Sequence, residues 1–449
     1  MPIYPFQSRD WSPRSIFRSS GFWLLVVAWF QFDCNVALKG ADAQAASLKN
    51  EAVEVAKALA DQHQRNPLAQ VLLGSAFYNT GRSDEATRYL ERGLALQPDL
   101  LEAYEVLARI SYEKGQPEES IRQCRTAIDR GLLSSEILNR LGRSLLDLGE
   151  TEEAIKILGR AIAQPGASVE SHYLHGQAQL QSRNYEQAKA AFAEVVKRQK
   201  DHTQAYFGLF TASLRMGDAE GAQKYREIFV RLEEGDRQNL TDRSDDDSSL
   251  SGLDMVKQTV ARTLFGAGQL YQEQGQPGKA GDLLLRACSL DGDNLIFKSG
   301  LEAYYLKGKD LNGGLEAFGK LIVQQPGNPL NYYYMGRFEA RRKGFKAARE
   351  HYEKVQQLAP GWSGGFRGMV ELCLSSQQNY PLALTSAEKA VTLEPSESNY
   401  YLLALANLRN RNASGALMAI EEALNRNPQN AKYLELRRRL RAAVGGAAK

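Results

Sequence analysis

A period of about 34 residues, a length known from repeat proteins, runs through the first half of this 449-residue chain. Glycines stand at Gly81, Gly115, Gly149 and Gly217, so the first three are equally spaced and the fourth follows after twice the same interval. A second row with the same period consists of Ala86, Ala154, Ala188 and Ala222. Two rows of small residues that share one period indicate a repeated structural unit. A period of this length is typical of helix–turn–helix repeats that stack into a solenoid.

The first unit, residues 67–100, has the pattern of two amphipathic helices separated by a turn. Apolar residues recur at intervals of three and four on both sides of Asn79–Ser83, which is the helical period. Gly81 suits the left-handed backbone that ends a helix, and Ser83 or Asp84 is a candidate cap for the next helix. Pro98 ends the second helix, because proline lacks an amide hydrogen and clashes with the preceding turn.

Small residues recur inside the first helix of the units. Gly74 lies in a helix interior, where glycine costs about 1 kcal/mol relative to alanine. The equivalent places of other units hold Ala108, Gly142, Gly176, Gly268 and Gly336. A costly residue that recurs in one register indicates that a partner helix packs closely against it.

With these positions the chain resembles the tetratricopeptide repeat family. The family pattern has Leu-Gly or similar residues in the seventh and eighth places, alanine in the twentieth and proline in the thirty-second. The first unit matches it at Leu73-Gly74, Ala86 and Pro98. The resemblance extends over most of residues 50–430 and implies an all-α solenoid of about ten units.

One polar stretch interrupts the pattern. Residues 233–252 are acidic, rich in serine and almost free of apolar side chains, so they cannot bury a face and are predicted to form a mobile linker. The linker divides the solenoid into an N-terminal array, residues 46–232, and a C-terminal array, residues 253–449. The C-terminal array is predicted to end in an arginine-rich capping helix.

Residues 1–45 do not fit the repeat and have the pattern of a secretory signal peptide. Arginines precede a short apolar run at residues 21–30, and Ala41-Asp42-Ala43 supplies small residues for cleavage. We therefore expect an exported protein, periplasmic or secreted. The alternative is an uncleaved membrane anchor over residues 21–38.

No arrangement in the sequence is typical of a catalytic, cofactor or metal site. His172 and His175 share a predicted helix face, but no further ligand completes a metal site. Gly361–Gly365 matches G-x-S-x-G, a motif that needs a preceding strand and here lies between two predicted helices. The net charge of +3 provides no basic field for nucleic acid. We expect a non-enzymatic protein with no cofactor and with protein or peptide partners.

The family resemblance implies where partners bind. The first helices of tetratricopeptide units line a concave groove, and arginine and tyrosine are enriched at binding hot spots. Carried over to this chain, the partner-binding groove consists of Tyr78, Arg109, Tyr112, Arg143, Tyr173, Phe207, Arg215, Arg262, Tyr333, Arg337 and Arg341.

The resulting functional hypothesis is a scaffold that binds peptide segments or partner proteins in its grooves. The alternative is an accessory subunit of an envelope assembly, such as polysaccharide export, secretion or pilus biogenesis. That alternative comes from the family resemblance alone.

Overall fold

The computed structural model describes the backbone of residues 20–242 and 245–446, and the side chains of residues 40–237 and 252–442. Every secondary-structure element in this described part is an α-helix, as the repeat pattern predicts. The chain divides into two compact units between Thr263 and Leu264. We refer to these as the N-terminal unit and the C-terminal unit.

The N-terminal unit consists of consecutive helical hairpins. Its helices are α1 (Ser20–Gln62), α2 (Pro67–Asn79), α3 (Ser83–Leu96), α4 (Leu101–Glu113), α5 (Pro117–Asp129), α6 (Ser135–Asp147), α7 (Thr151–Ile162), α8 (Val169–Gln181), α9 (Tyr185–Arg198), α10 (Thr203–Arg215), α11 (Ala219–Asp242) and the first part of α12 (Asp245–Glu273).

The C-terminal unit continues in the same way from the second part of α12. Its further helices are α13 (Pro277–Leu290), α14 (Leu295–Lys307), α15 (Leu311–Gln324), α16 (Pro329–Arg341), α17 (Phe345–Leu358), α18 (Ser363–Ser376), α19 (Tyr380–Leu393), α20 (Glu397–Arg409), α21 (Ala413–Arg426) and α22 (Ala431–Gly446). Tyr433 and Leu440 of α22 are buried in one apolar cluster with residues of α20 and α21.

The region predicted to be a mobile linker is mostly helical. α11 continues to Asp242 and α12 begins at Asp245, so residues 233–242 and 245–252 are not an irregular chain. The division of the solenoid at this linker stays a prediction. The signal-peptide prediction lies largely outside the description, because residues 1–19 and the side chains of residues 20–39 are not described. Among the helices searched within the described residues, none is both long and apolar enough to span a membrane.

The turn inside each hairpin explains the glycine row. At the fifteenth place of the ten predicted units φ lies between 55° and 79°, the left-handed region that glycine adopts without steric cost. In the first unit the turn is closed by a 3.0 Å bond from the Arg82 amide to the Phe77 carbonyl, a helix-ending arrangement. The predicted cap was wrong, because Arg82 holds the N-cap position and no side chain caps α3.

Close approach of the two helices explains the small residue in the eighth place. A Cβ added at Gly74 would lie 2.6 Å from the Cγ of Leu90, and one at Gly142 would lie 2.5 Å from the Cγ of Leu158. The same collision, with the residue sixteen places later, recurs at Gly176, Gly268 and Gly336. The packing reason predicted from the sequence is therefore confirmed, and glycine sets the distance between the paired helices.

One buried lysine departs from the apolar core. Lys298 in α14 is 0% exposed, and its amine donates a hydrogen bond to Oδ1 of Asn331. Asn331 is itself held by a 3.1 Å bond from Nδ2 to the Leu321 carbonyl. Burial lowers the pKa of Lys298 to about 8, because a charged amine loses its hydration in the core.

Replacing Gly142 by alanine tests the packing argument. Leu158 is fully buried and cannot move away, so we expect Gly142→Ala to lower the free energy of unfolding by about 1–3 kcal/mol. The matched control is Gly159→Ala in the partner helix, where an added Cβ meets nothing within 4 Å. There the gain in helix propensity is about 1 kcal/mol. Urea denaturation followed by circular dichroism measures both, and equal effects at the two positions would contradict the argument.

Lys298 predicts a specific pH dependence. The folded state releases the lysine proton near pH 8, whereas the unfolded chain keeps it up to about pH 10.4. Stability should therefore rise with pH across this window, and Lys298→Met removes that rise. We expect the stability of the wild-type protein relative to Lys298→Met to increase by about 3 kcal/mol between pH 8 and pH 10.4. Lys307 in the same helix is exposed, so Lys307→Met should leave this pH dependence of stability unchanged. Thermal or urea denaturation at several pH values measures the stability of each variant.

Candidate functional site

The first helices of the N-terminal hairpins form a continuous layer. α2, α4, α6, α8 and α10 contact one another in chain order. Four of the predicted groove residues lie in this layer and contact the first helix of the following hairpin. They are Tyr78, Arg109, Tyr112 and Arg143.

One series of contacts joins residues 27 positions apart. Ser75 Oγ donates to Glu102 at 2.9 Å, Arg109 Nη2 donates to Glu136 at 2.9 Å, and Arg143 Nη2 donates to Glu170 at 2.7 Å. In each pair the ninth place of one unit bonds to the second place of the next. The repeat period thus places the same interaction at three successive junctions.

A second series joins residues 35 positions apart. The Tyr78 hydroxyl donates to Glu113 at 2.6 Å, and the Tyr112 hydroxyl donates to Asp147 at 2.7 Å. These bonds connect the twelfth place of one unit with the thirteenth place of the next. We call the five pairs of the two series the N-terminal ladder.

The face that bears the ladder has an excess of negative charge. Glu136 is bonded by Arg109 and Arg140, and Glu170 by Arg143. Four other carboxylates on this face accept hydrogen bonds from hydroxyl groups and have no Lys or Arg within 4 Å in the described part of the chain. They are Glu102, Glu105, Glu113 and Asp147. Six carboxylates therefore face three guanidinium groups.

The shifted pKa values of three ladder residues preserve the protonation states that their hydrogen bonds require. Burial, followed by the bond to Glu113, raises the pKa of Tyr78 to about 12. Burial and the bond to Asp147 also raise the pKa of Tyr112. Burial would raise the pKa of Glu136, but the neighbouring guanidinium groups lower it. Near neutral pH the phenols of Tyr78 and Tyr112 thus stay protonated and donate, while the Glu136 carboxylate accepts as an anion.

The remaining predicted residues of the N-terminal unit lie outside the ladder. Tyr173 is half-buried, with its ring 4.9 Å from His202 and its hydroxyl bonded by Gln177 at 2.9 Å. Phe207 is 49% exposed and packs on Phe229 with 5.3 Å between ring centroids. Arg215 and Arg262 are exposed and belong to no ladder pair.

In the C-terminal unit two predicted arginines meet at one carboxylate. Arg337 Nε lies 2.9 Å and Arg341 Nη1 lies 2.8 Å from Oε1 of Glu302. Arg337 Nη1 also donates to the Tyr333 hydroxyl at 3.4 Å. Tyr333 is only 4% exposed and packs edge-on against Trp362, and its place in a partner-binding groove stays a prediction.

A cavity of about 300 Å³ opens beside this arginine pair. It lies between α16 and α18, with Tyr352 of α17 in its wall. Its lining includes Arg337, Arg341, Tyr352, Glu371, Leu372 and Ser375.

Sequence reasoning missed four acidic partners in the two sites, namely Glu102, Glu136, Glu170 and Glu302. Glu102, Glu136 and Glu170 form a further row with the period of the repeat, which is a signal that the sequence contains. Glu302 occupies the eighth place of its unit, where seven of the other nine units have glycine or alanine. That departure from the pattern was the signal for a charged residue with a specific partner.

The motifs considered for chemistry have structural contacts. His175 interacts with Gln179 at 3.2 Å, and burial lowers the pKa of both His172 and His175. Ser363 is the first residue of α18 and donates to Glu394, without the preceding strand that a nucleophile elbow needs. Across the described residues, no three His, Cys, Asp or Glu side chains gather as a metal site would require.

Family models described as tetratricopeptide repeat match this chain in both units. The matched residues are 67–110, 105–168, 173–229 and 261–294. They coincide with helical hairpins of the structure.

Two curated relatives match this chain at low identity. Protein bimA of Emericella nidulans is 22% identical over 176 residues, which are 39% of this chain and 22% of that protein. A BBSome complex member BBS4 homolog of Drosophila melanogaster is 21% identical over 351 residues, which are 77% of this chain and 62% of that protein. The chain thus spans less than two thirds of the length of either relative.

Solved structures that resemble this chain include yeast Tom70, MamA and YrrB. Tom70 is 15% identical, with 87% of this chain and 97% of that chain covered and a TM-score of 0.38. MamA is 23% identical, with 37% and 97% covered and a TM-score of 0.35. YrrB, described as a TPR protein with an unusual peptide-binding site, is 14% identical, with 44% and 99% covered and a TM-score of 0.38.

The family matches and the observed hairpins agree with the resemblance predicted from the glycine and alanine rows. Residues 67–168, 173–229 and 261–294 of this chain are therefore tetratricopeptide repeats.

Proposed function

We propose that this protein is a non-catalytic interaction scaffold that binds extended, positively charged peptide segments along the ladder face of its N-terminal unit. Tetratricopeptide repeats present a long surface built from successive units and are suited to such binding. The observation that carries the proposal is the set of carboxylates on this face that no cation of the described chain neutralises.

The two ladder carboxylates that accept hydrogen bonds from tyrosines favour a cationic ligand most strongly. Glu113 and Asp147 are exposed, and the structure gives each a tyrosine hydroxyl as its hydrogen-bond donor. A carboxylate has room for several donors, so a lysine or arginine of a ligand can bind while the tyrosine bond remains. Charge-assisted bonds of this kind are stronger than bonds between neutral groups.

The repeat arrangement also favours an extended ligand over a single ion. Glu113 and Asp147 occupy the same place in consecutive units, one repeat period apart. The distance between these two carboxylates is therefore set by the stacking of the repeats. A peptide that runs along the layer of first helices presents charged side chains to successive units, which adds the contributions of several weak contacts.

A charge-removal experiment tests this proposal. Fluorescein-labelled hexalysine binds the full chain in fluorescence anisotropy at low ionic strength, and Glu113→Gln with Asp147→Asn weakens binding about fivefold or more, because two exposed charge pairs are lost. These variants keep an oxygen that accepts from the tyrosines.

The matched control is Glu118→Gln with Glu152→Gln. Both residues are exposed on second helices, so the control changes the net charge by the same amount away from the ladder. Binding of hexalysine should stay close to that of the wild-type protein. Equal loss in the two double variants, or no binding by the wild-type chain, would show that the ladder face is not the site.

We further propose that the protein is exported, on the pattern of residues 1–45. An arginine-containing start, a short apolar run and small residues before the first repeat support it. Mass spectrometry of the protein purified from its native host should find an N-terminus near Ala43–Ala46. An intact Met1 would contradict cleavage and favour the anchor over residues 21–38.

A further inference from the structure

We propose that α22, the arginine-rich helix of the C-terminal unit, attaches the protein to the surface of a bilayer that contains anionic phospholipids. The side chains concerned belong neither to the N-terminal ladder nor to the cavity beside Arg337. The proposal goes beyond peptide binding and does not depend on it, so either can fail without the other.

Positive charge is concentrated in the last helical hairpin and in α22. Residues 397–442 contain eight Lys or Arg and four Asp or Glu side chains, which gives a net charge of +4. The whole chain has a net charge of +3, so these residues account for all of its excess positive charge. A local field of this kind can attract an anionic surface although the protein as a whole is almost neutral.

The packing of α22 directs its charges away from the protein. Its apolar side chains are buried in one cluster with residues of α20 and α21. Arg438 and Arg439 lie outside this cluster, and their side chains are 79% and 74% exposed. Lys432 and Arg441 are exposed as well. Four cations are thus presented by the outer surface of one helix.

Two glutamates position the arginines without neutralising them. Glu435 forms ion pairs with Arg438 at 2.8 Å and with Arg439 at 2.7 Å. Glu421 of α21 forms one with Arg441 at 2.7 Å and one with a second arginine of α22 at 3.5 Å. Each carboxylate is shared by two guanidinium groups, so each trio retains one positive charge. The bonds from the two arginines lower the pKa of Glu435, which is therefore an anion at neutral pH.

The other carboxylates of this region do not cancel the excess. Glu422 pairs with Arg426 at 2.7 Å, and Glu397 of α20 accepts a hydrogen bond from Asn427 at 3.2 Å. Five cations of α22 remain against the two glutamates that bond to its arginines. The surface of this helix therefore has an excess of positive charge after all its ion pairs are formed.

A bilayer is the partner that suits this surface. Clusters of about four to eight Lys or Arg side chains on an amphipathic helix are typical of segments that bind anionic lipids. Met418 of α21 is 67% exposed and lies three residues before Glu421, on the same helix face. An exposed apolar side chain beside the arginines can enter the layer of lipid headgroups. The sugar–phosphate backbone of a nucleic acid offers no such apolar layer.

Cosedimentation of the full chain with lipid vesicles at low ionic strength tests the proposal. Vesicles of pure phosphatidylcholine measure attachment through other parts of the chain, such as the apolar run at residues 21–30. The proposal concerns the additional binding to vesicles of equimolar phosphatidylcholine and phosphatidylglycerol. Arg438→Gln with Arg439→Gln should lower that partition coefficient about tenfold or more, because each cation near an anionic surface contributes to binding. Exposed ion pairs stabilise a fold only slightly, so this double variant should remain folded.

Arg122→Gln with Arg349→Gln is the matched control. Both arginines are exposed, and each pairs with a glutamate of its own helix, as the two substituted arginines of α22 do. The net charge changes by the same amount, but binding to the mixed vesicles should stay close to that of the wild-type protein. Equal weakening in the two double variants overturns the proposal, and so does equal binding of the wild-type protein to both kinds of vesicle.

Two single variants and a competing polyanion identify the surface and its partner. Glu435→Gln removes the carboxylate shared by two arginines and should tighten binding to the mixed vesicles, whereas Met418→Ser should weaken it. Unchanged affinity in both would contradict attachment through this face. Tighter binding to duplex DNA than to mixed vesicles at equal phosphate concentration would assign the surface to nucleic acid and overturn the proposal. Hexalysine binding at the N-terminal ladder should be the same in all these variants.

Discussion

The approach of two helices across a glycine determines the geometry of five of the hairpins. In these units a methyl group in the eighth place of the first helix would collide with the residue sixteen places later. Because protein interiors are packed without spare volume, this contact fixes how far apart the paired helices lie. The stacking of consecutive hairpins in turn brings the ninth place of one unit within reach of the second place of the next.

Much of this fold follows from the sequence because its causes are local. The period, the turn and the small residue each involve positions within one unit. The glycine row fades in the later units, yet the backbone there remains in the left-handed region at Lys309, Lys343 and Arg411. Tertiary packing maintains this conformation where the residue type does not favour it. A search based on glycine alone therefore underestimates how regular the solenoid is.

The parts that sequence reasoning did not predict depend on neighbouring units. Arg109 and Arg143 occupy the same place in consecutive units, but their partners lie 27 residues away, at a separation that depends on how the repeats stack. Tyr333 occupies a place that faces the groove in the family, yet Trp362 of the following unit covers it. The helical start of the acidic stretch reflects the continuation of α11 beyond the end of its hairpin. None of these features can be deduced from one unit considered alone.

The ladder has a mechanical consequence for the N-terminal unit. Each of its five pairs connects consecutive hairpins, so the side chains available to a ligand are the same ones that couple neighbouring repeats. In a solenoid, stability is close to a sum of repeat and nearest-neighbour terms. A cation that binds Glu113 shares this carboxylate with Tyr78 and thereby changes the coupling between the first two repeats. The bending stiffness of this stretch of solenoid then depends on whether its ladder face is occupied.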